Sequence, residues 1–382
     1  MSGVHPSGLP AEAFAAALAG LDGITVARLR KLLARFEPEE VWRLVGSGNL
    51  QGRQLIAEHL HDEPAARRLA AMASAADPGD VWRRCQQLGI AVHILGGHGY
   101  PPQLAADRAA PAVLFSLGDL DRLDGRRVAI VGTRNATLTG RDIAERFGSE
   151  LAAQGVRVVS GLASGIDAAA HRGALRARGA PPVGVVGSGL DVVYPSSQAA
   201  LWALVATEGV LLSEAPPGTA PQAFRFPLRN RILAALAEVV VVVESRASGG
   251  SMLTVDQAAR RGVPVLAVPG SLRNRAAEGT NRLISDGCQP ATDSADVLVA
   301  LGLERSGQLR FPAETRARPA PGDRAVLDLL GTDPVQIDQL VQRTELTLVE
   351  VALSLGRLEA DGWIVRTGGW FERAVDGVST LR

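Results

Sequence analysis

The sequence has few cysteines and no long apolar run, and each scarcity excludes a class of protein. Cys85 and Cys288 are its only cysteines, too few for a zinc cluster or a disulfide framework. No apolar run approaches the ~20 residues of a membrane helix, and the valines at 239–243, for example, have the length of a strand. The N-terminus lacks the basic region and apolar stretch of a secretory signal. We therefore predict a cytoplasmic protein without membrane contacts.

Lysine is almost absent, because Lys31 is the only one among 40 basic residues, which balance 40 acidic residues to a net charge of zero. At 382 residues, with 46% hydrophobic and 21% charged residues, the chain has the composition of a globular protein of two or three domains. A genome rich in arginine codons accounts for the general bias. The nine arginines against four acidic residues within 225–282 also suit phosphate oxygens, with which guanidinium groups form forked hydrogen bonds.

The two ends of the chain carry helical patterns. Residues 1–75 have apolar residues at helical spacing, which predicts a SAM-like or helix-hairpin-helix-like domain. Its turn at 21–24 is of a kind that presents backbone amides to DNA phosphates, although we favour a plain packing turn. Residues 301–322 are rich in proline and charge and are predicted to be a linker. Residues 323–382 predict three helices and a hairpin at Gly368-Gly369, which together make a winged helix.

The region 76–300 alternates short apolar runs with helix-length segments. An extension at 76–125 holds one predicted strand, Ala112–Leu117. The strands that follow are unbroken apolar runs joined by helices, so we predict an α/β, Rossmann-like, doubly wound parallel sheet with helices on both faces. These strands are Val128–Val131, Val156–Val159, Val183–Val186, Val210–Leu212, Val239–Val243 and Val265–Val268.

Glycine, serine and arginine are concentrated where these predicted strands end. Glycine allows backbone N–H groups to approach an anion closely, and the helix that follows adds a partial positive charge. Because ligands of such sheets bind outside the carboxyl ends of the strands, polar loops along one edge predict an extended anion site. The candidate residues in these loops are Gly132, Thr133, Arg134, Ser160, Gly161, Ser164, Gly165, Gly187, Ser248, Gly249 and Ser251.

An aromatic and basic segment at 224–231 begins one of the predicted helices. Aromatic rings stack on unpaired bases and arginines neutralise phosphates, so this segment favours nucleic-acid binding. The alternative places both phenylalanines in the core and the arginines on a solvated face. A second polar segment, at 278–282, is placed to close the far side of the site. The candidate DNA-binding residues of the two segments are Arg225, Phe226, Arg229, Asn230, Arg231, Gly279, Thr280 and Asn281.

Motifs of catalysis and of nucleotide binding are weak. Asp167 and His171 share one helix face at i, i+4 spacing, which suits acid–base chemistry or half of a metal site, but we favour a structural role for His171. Gly187 and Gly189 begin a dinucleotide fingerprint that Val192 interrupts, and no lysine-containing P-loop is present. We therefore predict no catalytic residue, no cofactor and no metal.

The central motifs, in their order along the chain, resemble the DNA-processing protein A (DprA, or Smf) family. The resemblance implies a homodimer that binds single-stranded DNA and helps to load the RecA recombinase onto it, in natural transformation and homologous recombination. It implies phosphate binding by the loops after the first two strands and base stacking by Phe226. The motifs are VAIVGTRNAT at 128–137, VVSGLASGIDAAAH at 158–171, GSGLDVVYP at 187–195, LLSEAPPGT at 211–219, FPLRNRI at 226–232, VVVESRASGGSM at 241–252, AVPG at 267–270 and EGTNRLISDG at 278–287.

One position departs from the family pattern, and two other classes of protein stay open. Ser164 stands where many family members have arginine, which reduces the local charge but keeps the backbone amides. An enzyme that binds or hydrolyses a nucleotide would share the fold, and release of free base from nucleoside monophosphates would identify it. A transcription regulator would depend on the winged helix alone, and a strict preference for duplex DNA would identify it.

The predicted winged helix is acidic. Residues 323–382 contain ten acidic residues against six arginines, so like-charge repulsion should discourage docking on DNA. We therefore predict that this domain makes protein contacts.

Overall fold

The computed structural model describes residues 8–47, 63–303, 318–330 and 334–374. The chain forms two compact units, Met1–Glu304 and Arg305–Arg382. The first unit begins with helices whose apolar residues form one core with residues at the edge of a large sheet. These helices are α1 (Ala11–Ala19), α2 (Val26–Leu33), α3 (Pro38–Ser47), α4 (Glu63–Ala75) and α5 (Pro78–Gln87).

Capping residues set where two of these helices begin. The Thr25 hydroxyl accepts a hydrogen bond from the Arg28 N–H at 3.4 Å and caps α2. The Asp77 carboxylate accepts one from the Gly79 N–H at 2.8 Å, and Pro78 occupies the first turn of α5. Between α1 and α2 the chain turns at Gly23, whose φ of +100° favours glycine.

Within the described residues, a sheet of nine strands forms the centre of the first unit. Its strands are β1 (Ala91–Ile94), β2 (Val113–Gly118), β3 (Arg127–Val131), β4 (Arg157–Ser160), β5 (Val183–Val186), β6 (Val210–Ser213), β7 (Val239–Val242), β8 (Val265–Ala267) and β9 (Gln289–Pro290). They lie in the order β1-β2-β6-β5-β4-β3-β7-β8-β9. Strands β3 to β9 run parallel, whereas β1 and β2 pair antiparallel at one edge.

Helices cover both faces of this sheet, as the unbroken apolar strands predict. Alternate residues of β7 pack on opposite faces of the sheet. Val239 and Val241 pack with the helices at 138–153 and 294–300, and Val240 and Val242 pack with the helices at 225–236 and 252–259. The fold is therefore a Rossmann-like, mostly parallel α/β fold. The helices are α6 (Pro102–Ala105), α7 (Leu138–Ala153), α8 (Ile166–Ala177), α9 (Ala199–Glu208), α10 (Arg225–Leu236), α11 (Met252–Ala259), α12 (Glu278–Ser285) and α13 (Ser294–Ala300).

The chain reverses its direction across the sheet between β3 and β7. From β3 the parallel strands proceed to β4, β5 and β6 on one side, and from β7 they proceed to β8 and β9 on the other. The helices that follow β3 and β7 therefore lead away from each other and leave a crevice at the carboxyl ends of these two strands. This crevice is where a ligand of the fold is expected to bind.

The second unit is a winged helix. Its three-stranded antiparallel sheet has the order β10-β12-β11. Gly368 and Gly369 connect β11 to β12 with φ values of +57° and +87°, as a two-residue hairpin turn requires. The elements are α14 (Pro321–Leu329), β10 (Val335–Gln336), α15 (Ile337–Arg343), α16 (Leu348–Ala360), β11 (Ile364–Thr367) and β12 (Trp370–Arg373).

All six predicted central strands are present, each with bounds within one residue of the prediction. The predicted strand at 112–117 is β2, which joins the sheet in the antiparallel sense, and the sequence pattern missed β1 and β9. The division into four regions stays a prediction, and most of the predicted linker at 301–322 lies outside the described residues. In the part of the chain that the structure describes, every helix is too short or too polar to cross a membrane.

Candidate nucleic-acid interface

A cavity of about 580 Å³ opens at the crevice between the carboxyl ends of β3 and β7. A smaller one of about 220 Å³ shares Arg134, Phe226 and Arg229 with it, and we call the two together the switch-point cavity. Many of the candidate residues from distant motifs meet here. Those that line the cavity are Gly132, Thr133, Arg134, Gly161, Ser164, Phe226, Arg229, Asn230, Gly249 and Ser251.

A buried carboxylate fixes the loop that follows β3. The Glu244 carboxylate accepts hydrogen bonds from the Thr137 N–H at 2.9 Å and the Thr137 hydroxyl at 2.7 Å. The Glu244 carbonyl accepts one from the Thr133 N–H at 2.8 Å. Gly132 has no room for a side chain, since a Cβ there would lie 2.7 Å from that carbonyl oxygen. The loop is therefore held at both ends, and it presents the exposed Arg134 to the cavity.

The loop that follows β4 packs directly on the first loop. Gly165 has a φ of +82°, and any Cβ there would collide with the Thr133 and Arg134 carbonyls, so only glycine fits. Ser164 reaches the smaller part of the cavity. The Ser160 hydroxyl instead donates a hydrogen bond of 2.6 Å to the Ile130 carbonyl and is buried between the strands. Ser160 thus holds β4 to β3, and its side chain is not part of the cavity wall.

Arg229 is the buried positive charge of the cavity. It lies on α10 and is only 7% exposed, and its Nε and Nη1 atoms have no hydrogen-bond partner among the residues that the structure describes. Burial lowers the pKa of the guanidinium to about 10, which still leaves it charged at neutral pH. Gly161 faces this guanidinium so closely that a Cβ would collide with it. The site therefore holds a charged donor that lacks an anion within hydrogen-bond distance.

Asp167 is the acidic residue whose negative charge acts on Arg229. Its carboxylate accepts a hydrogen bond of 3.1 Å from the Gly161 N–H. Burial raises the pKa of this carboxyl group, and the charge of Arg229 opposes the shift. In the part of the chain that the structure describes, no group of three or more His, Cys, Asp or Glu side chains is placed to hold a metal ion.

Aromatic and basic groups alternate along one wall of the cavity. The Phe226 ring lies 5.4 Å from the Tyr194 ring between centroids, and the Arg134 guanidinium carbon lies 4.8 Å from the centre of Phe226. Tyr194 and Arg246 also line the cavity, but the sequence reasoning did not select them. Tyr194 stands in the motif at 187–195, so the signal available in the sequence was an aromatic residue within a strand-end motif.

The loop after β7 forms the opposite wall. Gly249 and Ser251 line the cavity, and the Ser251 hydroxyl donates a hydrogen bond of 2.8 Å to the Ser245 hydroxyl. The Asn230 amide reaches across to the Gly250 carbonyl at 3.4 Å, which connects α10 to this loop. Ser248 is exposed in the same loop but is not part of the wall.

The segment at 279–281 supports the cavity from behind. The Gly279 N–H donates a hydrogen bond of 2.7 Å to the Ser245 carbonyl, and the Thr280 hydroxyl donates one of 3.1 Å to the Ala277 carbonyl. The Asn281 amide brackets the backbone of Gly270, with hydrogen bonds of 3.1 and 2.9 Å. These residues fix the loops after β7 and β8, and the structure does not bring them into the cavity wall.

Three candidates lie on the other side of α10. Gly187, Arg225 and Arg231 line a separate cavity of about 640 Å³ that faces the turn between α1 and α2. Arg231 forms an ion pair there with the buried Glu214 carboxylate. The structure therefore divides the basic segment at 224–231 between two cavities.

His171 is fully buried, and neither ring nitrogen has hydrogen-bond geometry to any described group, although the nearby Ser160 backbone favours the charged form. Burial outweighs this and lowers its pKa to about 4, against about 6.5 in an unfolded chain. Between these values the unfolded chain binds more protons, so stability is lost as the pH falls. We expect His171 to lower the free energy of unfolding by about 1 to 2 kcal/mol at a pH of about 5.5 relative to about 8.

Urea denaturation at the two pH values checks this prediction. His171→Gln removes the titrating group, so the free energy of unfolding should fall less steeply as the pH is lowered. The same substitution at the exposed His98 is the control. If the free energy of unfolding of H171Q fell with pH as steeply as that of the unchanged protein, the prediction would be wrong.

Comparisons with known proteins place these features in a family. The family model for DNA recombination-mediator protein A matches residues 91–302, and the model for the DprA winged helix domain matches residues 312–369. The DNA processing protein DprA of Bacillus subtilis is 39% identical over 228 residues, which are 59% of this chain and 76% of that protein. Protein Smf of Escherichia coli is 35% identical over 280 residues, 72% of this chain and 75% of that protein.

Two solved structures are similar as well. DNA processing protein A of Streptococcus pneumoniae is 30% identical, with a TM-score of 0.63, over 76% of this chain and 96% of that one. The Helicobacter pylori protein, whose single-stranded DNA binding mode has been described, is 28% identical, with a TM-score of 0.51, over 56% and 95% of the two chains. A family model that spans more than half of the sequence, together with these relatives, shows that the chain belongs to the DNA-processing protein A family.

Proposed function

We propose that this protein binds single-stranded DNA in the switch-point cavity and delivers the strand to the RecA recombinase, in natural transformation and homologous recombination. It does so as a binding protein and not as an enzyme. Membership of the family supports a role in DNA processing, and the Helicobacter pylori relative supports a single strand as the ligand. The DNA and the recombinase are cytoplasmic, so we propose that location for the protein.

The observation that carries the proposal is the buried guanidinium of Arg229. Two donor atoms of Arg229 lack a hydrogen-bond partner among the described residues, which is costly for a buried charge, and a phosphate at the cavity wall that Arg229 lines would offset this cost with a charge-assisted hydrogen bond. The glycine loops around it bring backbone to the cavity wall at Gly132, Gly161 and Gly249, where an anion can approach closely. A phosphodiester therefore fits the polar half of the cavity.

The aromatic half of the cavity accounts for the preference for a single strand. Phe226, Tyr194 and Arg134 lie close together, and we call them the stacking platform; stacking on it requires a base that is free of its partner. In a duplex the bases are stacked on each other and their faces are inaccessible. We therefore propose that the protein discriminates by stacking and not by hydrogen bonds to base edges, so it binds strands of any sequence.

A mobility-shift experiment tests the function. The protein should shift a single-stranded oligonucleotide at concentrations that leave the matching duplex free, and RecA should bind the strand faster when the protein is present. Equal affinity for strand and duplex would refute the single-strand proposal. Unchanged RecA binding would refute the loading role, and sedimentation of the free protein tests the homodimer that the family resemblance implies.

Arg134→Ala should weaken binding to every sequence alike. The Arg134 guanidinium is exposed at the cavity rim, so its contribution is a phosphate contact. Loss of one such contact should reduce the slope of log affinity against log salt by about 0.7. Fluorescence titrations over a range of salt concentrations measure this slope. Arg178→Ala, at the exposed end of α8, is the control, and an unchanged slope in a folded R134A protein would exclude Arg134 from the site.

Removal of the winged helix should leave most of the affinity for single strands intact. Its helix α16 exposes the apolar residues Leu348, Val349 and Leu353, which suit contacts with protein more than with phosphate. A chain that ends at Ala320 keeps the whole first unit. If that shortened protein, still folded, lost affinity by an order of magnitude in a mobility-shift titration, the assignment of the winged helix to protein contacts would be wrong.

A further inference from the structure

The cavity on the other side of α10 is open, basic and large enough for a nucleotide. We call it the hairpin groove, and its walls are the turn between α1 and α2, Arg30, Arg108 and the outer face of the first turns of α10. We propose that a single strand bound in the switch-point cavity continues over α10 into the hairpin groove, where the N-terminal helices hold its next nucleotides. This inference depends on the proposed function and extends its binding site.

Helix α10 is a shared wall of the two cavities. Phe226 and Asn230 face the switch-point cavity, while Phe224 and Leu228 face the hairpin groove. Arg229 lines both cavities, so they are separated at this point by a single residue. A strand that leaves the first cavity over this helix therefore meets the groove within one helical turn.

The groove contains its own aromatic and basic pair. Phe224 is 57% exposed, and the Arg225 guanidinium carbon lies 5.2 Å from the centre of its ring. This repeats the arrangement of Phe226 and Arg134 in the switch-point cavity, at 4.8 Å. Since more than half of the Phe224 surface is open, the ring is available to a base while the arginine is available to the adjoining phosphate.

The charge of the groove fits a polyanion. Arg30, Arg108 and Arg225 line it, and the Glu214 carboxylate within it is already paired with Arg231. Asp22 is the remaining acidic residue of the lining, so the free charges sum to a positive value. A phosphodiester backbone is therefore favoured over a neutral or basic peptide as the occupant.

The turn at 21–24 lies directly on the groove. Its residues line the cavity, its Ile24 N–H donates to the Leu21 carbonyl at 3.2 Å, and Gly23 adopts a left-handed conformation without a side chain. From sequence alone a plain packing turn is favoured here, although turns of this kind can also present backbone amides to DNA phosphates. Its position opposite Phe224 and Arg225 is what makes such a contact possible here.

Oligothymidylates of two lengths test the inference with the full chain. One of about 6 nucleotides should fill only the switch-point cavity, and one of about 20 should reach the groove as well. Phe224→Ala should weaken binding of the longer strand by about 5- to 30-fold and leave the shorter one unaffected. Ala27→Trp, which fills the groove with a large side chain and removes no charge, should have the same effect.

A matched pair of leucines controls for the loss of surface apolar area. Leu228, in the groove, and Leu204, on α9, are both 46% exposed. Leu228→Ala should weaken binding of the longer strand, and Leu204→Ala should not. Fluorescence anisotropy at fixed salt measures all affinities.

The outcomes separate this inference from the proposed function. If Phe224→Ala and Ala27→Trp both bind the longer strand as the unchanged protein does, the groove is not part of the path, although short-strand binding upholds the switch-point cavity. The same result is expected if the groove holds a peptide. If the unchanged protein binds neither oligonucleotide, the proposed function fails together with the inference.

Discussion

Arg229→Met should weaken binding of single-stranded DNA by at least about 30-fold, because truncation of one partner of a buried charge pair costs about 2 to 5 kcal/mol. Arg229 is 7% exposed, and two of its donor atoms have no hydrogen-bond partner within the described part of the chain, so a phosphate bound to it is largely desolvated. Methionine has a similar length and no charge. Fluorescence anisotropy with a labelled single strand measures the loss.

A loss of stability must be separated from a loss of binding. Without Arg229, the buried carboxyl group of Asp167 loses its main favourable charge, so R229M should also melt at a lower temperature. Asp167→Asn keeps an acceptor for the Gly161 N–H and removes the charge. The double variant D167N/R229M should therefore regain thermal stability but not DNA affinity. Recovery of both would mean that Arg229 acts only as the counter-charge of Asp167, and the phosphate role would be wrong.

The sequence was most informative where strands are buried on both faces. A strand such as β7 places every residue in one of two cores, so it reads as an unbroken valine run, and its bounds are predicted within one residue. β1 was missed because it lies at the edge of the sheet, where exposed and buried positions are mixed and His93 interrupts the apolar pattern. β9 is only two residues long, and such a length has no periodicity to detect.

The candidate site was predictable at the level of loops but not of individual side chains. The motifs placed glycine and arginine at the ends of β3, β4 and β7, and the parallel sheet brings these ends to one edge. Each residue of α10 faces one cavity or the other according to its position around the helix. The sequence does not reveal that this helix lies between two cavities. Phe226 and Arg225 are neighbours in the chain, yet they line different cavities.

Burial was also beyond the sequence pattern. Arg229 and Arg231 lie three and five residues after Phe226 and carry the same side chain. Arg231 is neutralised by Glu214, whereas two donor atoms of Arg229 find no hydrogen-bond partner among the described residues. Only the fold brings the loop at 214 to one of them. Burial and pairing, which the sequence pattern does not contain, therefore decide which of the two arginines still lacks hydrogen-bond partners that a phosphate could supply.

Phe226→Ala should weaken binding of single strands by about 5- to 150-fold, because base–aromatic stacking contributes about 1 to 3 kcal/mol per base. The ring is half-buried, and its centre lies 5.4 Å from that of the Tyr194 ring and 4.8 Å from the Arg134 guanidinium carbon. Its removal takes away the central part of the platform, whereas binding of a duplex, whose bases are not free to stack, should change little. Titrations with a strand and with its duplex give both values.

Two further variants distinguish stacking from packing. Phe226→Leu keeps much of the apolar volume but has no aromatic face, so it should fold normally and still lose most of the affinity. Phe226→Trp keeps an aromatic face and should retain binding. A fully buried phenylalanine would cost about 3 to 5 kcal/mol of stability on truncation to alanine, so melting temperatures are measured beside the affinities. If F226L bound single strands as tightly as the unchanged protein, the ring would serve only to pack the wall of the cavity, and the stacking platform would have to be assigned to Tyr194 alone.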